Sequence, residues 1–290
     1  MQNLTVIILT KNEEKNIKKC ISSFGKSARR FVIVDSGSTD NTKQIIEELA
    51  EELSVDGIKI DFYENQWIDY ATQFNWGLMN TNIDSDWVMR IDADEELLSG
   101  LRDAIEARLS SLPEDVTGVL VNRRIIFMGK WIRHGGLYPT KLLRIFRYGH
   151  AKCEQRSMDE HIVISDGRTV DFNQDIIDKN EKDLAWWTEK HNWYSDREVK
   201  DHLATVEGTN DEILVSDSTT GGQASMKRKI KNGLYYRLPL FFRAHLYFVL
   251  RYYVLLGFLD GKEGRIYHFL QGYWYRFLVD AKMYELENDR

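Results

Sequence analysis

Short apolar runs that end in carboxylates, each followed by a helical repeat, constrain this chain most. Val32-Ile33-Val34-Asp35-Ser36-Gly37-Ser38-Thr39-Asp40 is one, and Trp87-Val88-Met89-Arg90-Ile91-Asp92-Ala93-Asp94-Glu95 is another. Runs this short read as strands, and the acids stand where each strand stops. Strands are predicted over residues 4–9, 31–34, 58–63 and 87–91, alternating with helices over 13–24, 44–53, 70–79 and 101–109. Ile17, Cys20, Ile21 and Phe24 set the helical spacing of the first helix; Ile45, Ile46 and Leu49 set that of the second, behind the cap signal Ser38-Thr39-Asp40. Such alternation implies an α/β fold with a mostly parallel sheet and right-handed crossovers. Ligands of such sheets bind beyond the carboxyl ends of the strands. An Asp-x-Asp pair there suits a hard divalent cation that keeps waters and bridges diphosphate oxygens.

Beyond residue 110 the alternation loosens. Strands are predicted over 118–127, 142–146 and 161–164, with a glycine- and aromatic-rich loop over 129–138 and a helix over 184–199 carrying Trp186, Trp187, His191, Trp193 and Tyr194. Residues 210–225, rich in Ser, Thr, Asp and Gly, read as a linker. Two units are therefore expected, 1–215 and 216–290, which suits a chain of 290 residues with one large core and a smaller appendage. Three prolines argue against long disordered linkers, and Cys20 and Cys153 make neither a disulfide framework nor a metal site. A reducing cytosol is the expected compartment. Met1-Gln2-Asn3-Leu4 enters a strand directly and shows no secretion signal.

Three motifs in the first third carry a family resemblance: Val6-Ile7-Ile8-Leu9-Thr10-Lys11-Asn12-Glu13, Val34-Asp35-Ser36-Gly37-Ser38-Thr39-Asp40-Asn41-Thr42, and Asp92-Ala93-Asp94-Glu95. The chain resembles the family 2 glycosyltransferases, inverting nucleotide-sugar-dependent enzymes of the GT-A fold. Gly135-Gly136-Leu137-Tyr138-Pro139, Leu143-Arg144-Ile145-Phe146, Met158-Asp159-Glu160-His161 and Lys190-His191-Asn192-Trp193-Tyr194 resemble a bacterial branch that builds surface polysaccharides and lipopolysaccharide cores. The resemblance implies transfer from a UDP-sugar to a hydroxyl of a saccharide, lipid-linked in this reading. It places Thr10, Glu13, Asp35, Asp92 and Arg144 around the nucleotide sugar, with Asp35 accepting from the base and Glu13 from ribose. Asp94, with Asp92, would hold Mg²⁺ or Mn²⁺ against the diphosphate. Glu160 is the expected catalytic base and Asp159 its rival, because neighbours on an extended strand face opposite ways. His191 and Tyr194 are possible neighbours of the site.

The net charge of −6 conceals an asymmetry. Between Ser218 and Leu259 there is no Asp or Glu, while Lys227, Arg228, Lys229, Lys231, Arg237, Arg243 and Arg251 fall there. Arg243, Tyr247 and Arg251 repeat at helical spacing, so an interfacial helix with its cations at anionic headgroups is expected, on the inner face of the cell membrane. A buried helical unit or an interface between copies is the other reading. No nucleic-acid partner is expected. A sugar nucleotidyltransferase would want a glycine-rich loop after its first strand, and Thr10-Lys11-Asn12-Glu13 has none. Transfer to a polyprenyl phosphate, or sugar-nucleotide binding without turnover, remain alternatives.

Overall fold

The computed structural model describes residues 3–155, 160–206, 233 and 235–288. Asp159, the 210–225 linker and the Lys227 to Lys231 cluster lie outside the described residues. The first half follows the predicted alternation: β1 (Leu4–Thr10), α1 (Ile17–Ser22), β2 (Arg30–Asp35), α2 (Thr42–Ser54), β3 (Lys59–Glu64), α3 (Tyr70–Asn80), β4 (Trp87–Asp92), β5 (Glu95–Leu97) and α4 (Ser99–Arg108). Then come β6 (Val116–Phe127), β7 (Lys130–Ile132), β8 (Thr140–Arg147), β9 (Ala151–Cys153), β10 (Ile162–Ile164), β11 (Arg168–Asp178) and α5 (Leu184–Val206).

The main sheet has the order β3-β2-β1-β4-β8-β6-β11-β5, with β7 paired to β6. β3, β2, β1 and β4 are parallel; β8 enters antiparallel to both β4 and β6, so the far half is mixed. Both faces of the parallel half are covered, which is why its strands are almost continuously apolar. Val6, Ile8, Phe31, Ile33, Met89 and Ile91 face α1, α2 and α4, while Ile7, Val32, Val34 and Val88 face α3 through Ala71, Phe74 and Leu78. Arg90 breaks the β4 run and is nonetheless buried, its guanidinium lying 4.2 Å over the Tyr70 ring.

The chain reverses direction across the sheet between β1 and β4. Register aligns Thr10 with Asp35, Leu9 with Asp92 and Asp35 with Glu64, so the acidic strand ends form one edge at a topological switch point.

Four strands were invisible to periodicity. β5 and β9 are three residues long, and β11 alternates too weakly: its centre reads Asp171-Phe172-Asn173-Gln174-Asp175, with a register shift against β6 between Asp171 and Asp175. The 129–138 loop in turn contains β7, which pairs with β6 as a hairpin.

The C-terminal helices are Phe242–Val249, Gly261–Phe269 and Tyr275–Asn288, each of the first two running on into a π-helical turn. The last packs on α5, where Val199, Tyr275, Val279 and Met283 are buried together. Glu198 of α5 is buried there and accepts from Tyr275 Oη at 2.6 Å and Arg276 Nη1 at 2.7 Å. Phe127 and Ile132 of the β6–β7 hairpin join Tyr267 and Trp187 in another cluster that seats the helices on the sheet.

The expected headgroup cations are corrected here. Arg243 is buried and donates to Asp280 at 2.7 Å; Arg251 is buried and donates to the Gly135 carbonyl at 2.9 Å and to Tyr247 Oη. Both guanidiniums tie the helices together from inside, because a charge taken from water needs a fixed partner.

Candidate functional site

The β1 and β2 ends are locked by short polar side chains. Asp35 is buried; its Oδ2 accepts from the Gly37 and Ser38 amides, and its Oδ1 from Thr10 Oγ1 and Ser38 Oγ. Its four acceptor positions are thus taken by the chain, so it pins the turn that opens the ligand edge. Thr10 serves it as donor. Glu13, just past β1, is held by Lys182 Nζ and Asn16 Nδ2, each at 2.7 Å. Burial raises the Glu13 carboxyl, against the pull of Lys182.

Asp92 ends β4 in a web of cations. Tyr70 Oη donates to its Oδ1, Arg144 Nη2 reaches its Oδ2 at 3.3 Å, and Arg90 stands 3.8 Å away. Burial alone would lift this carboxyl, yet Arg144 and Arg90 outweigh it and hold Asp92 well below the ordinary range. Arg144 is buried and also donates to Glu95 at 2.6 Å, so its guanidinium holds two carboxyl groups in place. Glu95 goes the other way: burial pushes it up, Arg144 opposes, and Asp92 adds to the rise. Asp94 is half-buried, with Asn180 Nδ2 2.8 Å from its Oδ2.

Asp92 and Asp94 open into a cavity of about 680 Å³. Its opposite wall comes from the β11–α5 connection and α5 itself, with Asp178, Lys182, Trp186, Lys190, His191 and Tyr194. Arg123 of β6 and Tyr267 and Gln271 of the C-terminal helices close it. His191 and Tyr194 thus meet the strand-end acids across one cavity, although a hundred residues separate them in sequence. A smaller cavity of about 330 Å³, at the amino ends of β2 and β3, is lined by Arg30, Lys59 and Asp84, and its cations are already paired with Asp61 and Asp84.

His191 stacks on Trp187 at 3.5 Å, with Nδ1 2.8 Å from the Trp187 carbonyl. Burial lowers its imidazole to about 4, so it is neutral at pH 7. Lys182 of this wall is paired with Glu13, whereas Lys190 is surrounded by rings. Its Nζ sits 4.6 Å over Trp186 and 5.5 Å over Tyr194, and among the described residues no carboxylate lies within 4 Å of it. Burial works against its charge, but Tyr194, Asp94 and Asp178 outweigh it and keep the ammonium above the usual lysine range. Asp178, at the end of β11, is raised to about 6 by burial and by Asp94, against Arg123, whose Nη1 is 3.6 Å away.

Sequence reasoning missed Lys190, Lys182, Arg123 and Asp178. Lys190 was in view as part of Lys190-His191-Asn192-Trp193-Tyr194, and its cation-to-ring spacing at i−4 and i+4 was the available signal. Glu160 stands apart from this cavity wall, where Arg197 Nη2 of α5 donates to it at 3.0 Å.

The donor set fits a divalent cation. Asp92 and Asp94 offer hard oxygens on an open wall, and among the described residues no three His, Cys, Asp or Glu side chains close around a point. Two carboxylates leave coordination positions for water and phosphate oxygens, as Mg²⁺ and Mn²⁺ prefer.

A sheet with acids at the switch point of its parallel half, faced by a cationic aromatic wall, is an α/β architecture with a ligand-sized cavity beyond its strand ends. Residues 5–163 match the family described as Glycosyl transferase family 2, and the chain belongs to that family. The chain is similar to the lipopolysaccharide core biosynthesis glycosyltransferase LpsC of Rhizobium meliloti (strain 1021), at 29% identity over 164 residues, covering 57% of this chain and 58% of LpsC. It thus spans little more than half of that relative. An uncharacterized glycosyltransferase of Rickettsia bellii (strain RML369-C) is 28% identical over 209 residues, 69% of this chain and 67% of the relative. Among solved structures, the mannosyltransferase PcManGT from Pyrobaculum calidifontis, in complex with GDP-Man and Mn²⁺, aligns over 97% of this chain and 86% of its own, with a TM-score of 0.51 at 14% identity. That likeness shows the GT-A-like fold.

Proposed function

We propose that this glycosyltransferase moves a sugar, with inversion, from a UDP-sugar to a hydroxyl of a lipid-linked saccharide in cell-surface glycan assembly. The observation that carries the reading is the cavity with Asp92 and Asp94 on one wall and Lys190 on the other. Opposed this way, the acids would take a cation and the Lys190 ammonium would take diphosphate oxygens, so the negative charge that grows on the leaving nucleotide is met from both sides. Asp94 and Asp92 would hold Mg²⁺ or Mn²⁺, which would supply Lewis-acid neutralisation of the diphosphate. Arg144 keeps Asp92 ionised and aimed. Glu13 and Thr10 stand at the nucleoside end of the strand edge, with Asp35 fixing the neighbouring turn after β2.

The acceptor oxygen attacks the anomeric carbon while a carboxylate base takes its proton, Glu160 by the family resemblance although it does not line the cavity, and the bond to the diphosphate breaks with its electron pair leaving on UDP. Arg197 Nη2, 3.0 Å from Glu160 Oε1, orients its carboxyl. Similarity to the LpsC relative supports a surface-glycan acceptor. The test is a donor screen by hydrolysis and thermal shift with UDP- and GDP-sugars, with and without EDTA. Activity that EDTA abolishes and Mn²⁺ or Mg²⁺ restores, together with a folded and inactive Asp94→Ala, supports the reading; full turnover in chelator removes the metal from it.

A further inference from the structure

We infer that the C-terminal helices form a docking face for an anionic phospholipid bilayer, and that it binds chiefly by apolar insertion. A helix on a water-facing surface normally turns its cations out and its apolar residues in. Here the order is reversed. Arg243 and Arg251 are buried, whereas Phe242 is 58% exposed, Leu246 45%, Tyr253 57%, Val254 64% and Leu259 54%. Phe242, Leu246 and Tyr253 follow one another along one side of the Phe242–Val249 helix and its π turn, and Leu256 and Leu259 extend the patch through the next turn. A contiguous apolar surface of this kind marks an interaction site.

Charge selects the occupant. No acid occurs in the sequence between Ser218 and Leu259, and the first one after it, Asp260, is buried against the His134 amide and ring. Arg237, Lys262 and Arg265 are exposed at the borders of the patch, and among the described residues none has a carboxylate within 4 Å. The border carries Arg237, Lys262 and Arg265 and one acid, Glu263, which is paired with Lys130 Nζ at 3.6 Å; an apolar centre with a border of net positive charge complements acyl chains beneath anionic headgroups, and tyrosine suits the boundary between them. No helix of the described residues is long and apolar enough to cross a membrane, so the contact is interfacial.

The position of the face gives the docking a use. The Gly261–Phe269 helix and its following turn put Tyr267 and Gln271 on the wall of the sugar-nucleotide cavity, while Ile266 and Phe269 of the same segment are exposed. Docking therefore brings the cavity to the bilayer surface, where a lipid-linked acceptor resides. That use rests on the proposed function; the vesicle binding itself does not.

The experiment is co-sedimentation of the full chain with vesicles of phosphatidylcholine containing phosphatidylglycerol, and with phosphatidylcholine alone. The wild type should pellet with the mixed vesicles and keep a substantial part of that binding in high salt. A variant carrying Phe242→Ser, Tyr253→Ser, Val254→Ser and Leu259→Ser should lose on the order of 100-fold in partition, since each exposed apolar group contributes to insertion. Lys262→Gln with Arg265→Gln should lose less, and only at low salt. Circular dichroism and UDP binding in lipid-free buffer must match wild type for the serine variant, which separates loss of docking from loss of the nucleotide site. A folded wild type that ignores both vesicle types overturns the proposal. So does a wild-type dimer in ultracentrifugation that the serine variant dissociates without any vesicle binding, which would assign the face to a second copy of the chain.

Discussion

At the scale of single residues, the site is a set of charges held by other charges. Arg144, Arg90 and Tyr70 keep Asp92 ionised and oriented, and aromatic rings rather than carboxylates surround the Lys190 ammonium. Lys190→Met preserves the packing on Trp186 and removes the charge. It should lower kcat about 10- to 100-fold and raise KM for the donor, as steady-state kinetics would show; unchanged parameters would take Lys190 out of diphosphate binding. Glu160→Gln keeps shape and hydrogen bonding but accepts no proton, so kcat should fall on the order of 100-fold or more while UDP affinity, read by calorimetry, barely moves. Near-wild-type turnover in that variant with an inactive Asp159→Asn would transfer the role to the neighbour.

Among the elements, the loop after β7 shows how a sequence motif acquires a structural meaning. Gly135 has φ +71°, its amide donates to the Leu255 carbonyl at 2.8 Å, and its carbonyl accepts from Arg251. A Cβ there would meet His268 Cε1 at 2.2 Å, inside any real contact distance. Gly136 has the same φ, but its Cβ would meet only Leu255 Cδ1, at 3.1 Å. Gly135→Ala should therefore cost about 2–4 kcal/mol and Gly136→Ala less, by urea unfolding. Equal losses would mean that backbone strain alone, and not the seat of the C-terminal helices against this loop, demands the pair. The motif belongs to the joint between the sheet and the helical unit, a contact that no local pattern in residues 129–138 could disclose.

For the whole molecule, the helical unit is welded to the sheet by buried ionisable groups, and pH reports on that weld. His268 is fully buried against Gly135, Gly257 and Tyr252; burial, reinforced by Arg251, lowers its imidazole to about 4 in spite of Asp260 at 3.7 Å. Its folded value lies below the unfolded one near 6.5, so the unfolded chain binds the proton first. The stabilisation is complete above pH 6.5 and is lost as pH falls through the window toward 4. An imidazole NMR titration should place the His268 midpoint near 4. The wild-type Tm should also decline between pH 6.5 and 4 more steeply than that of His268→Gln. A His268 midpoint near 6.5 would contradict this account. Glu95 and Asp178 titrate in the opposite sense, which is why the comparison is made with the single variant.

The sequence by itself determined the parallel half of the sheet, its helices and the acids at its edge, because strand and helix periods are local and strand ends are where a chain of this alternation meets its ligand. Thr10, Asp35, Asp92 and Asp94 were legible for that reason, and the family motifs lie on those same strand ends. Tertiary structure alone decided what faces them. β11 carries too polar a centre to declare itself, yet its end delivers Asp178, and the long α5 brings Lys190, His191 and Tyr194 across the cavity from a hundred residues away. It also decided the direction of Arg243 and Arg251. A helical stripe of cations says which residues share a face, but whether that face meets water or protein depends on a partner such as Asp280 or the Gly135 carbonyl, and those arrive only when distant segments pack.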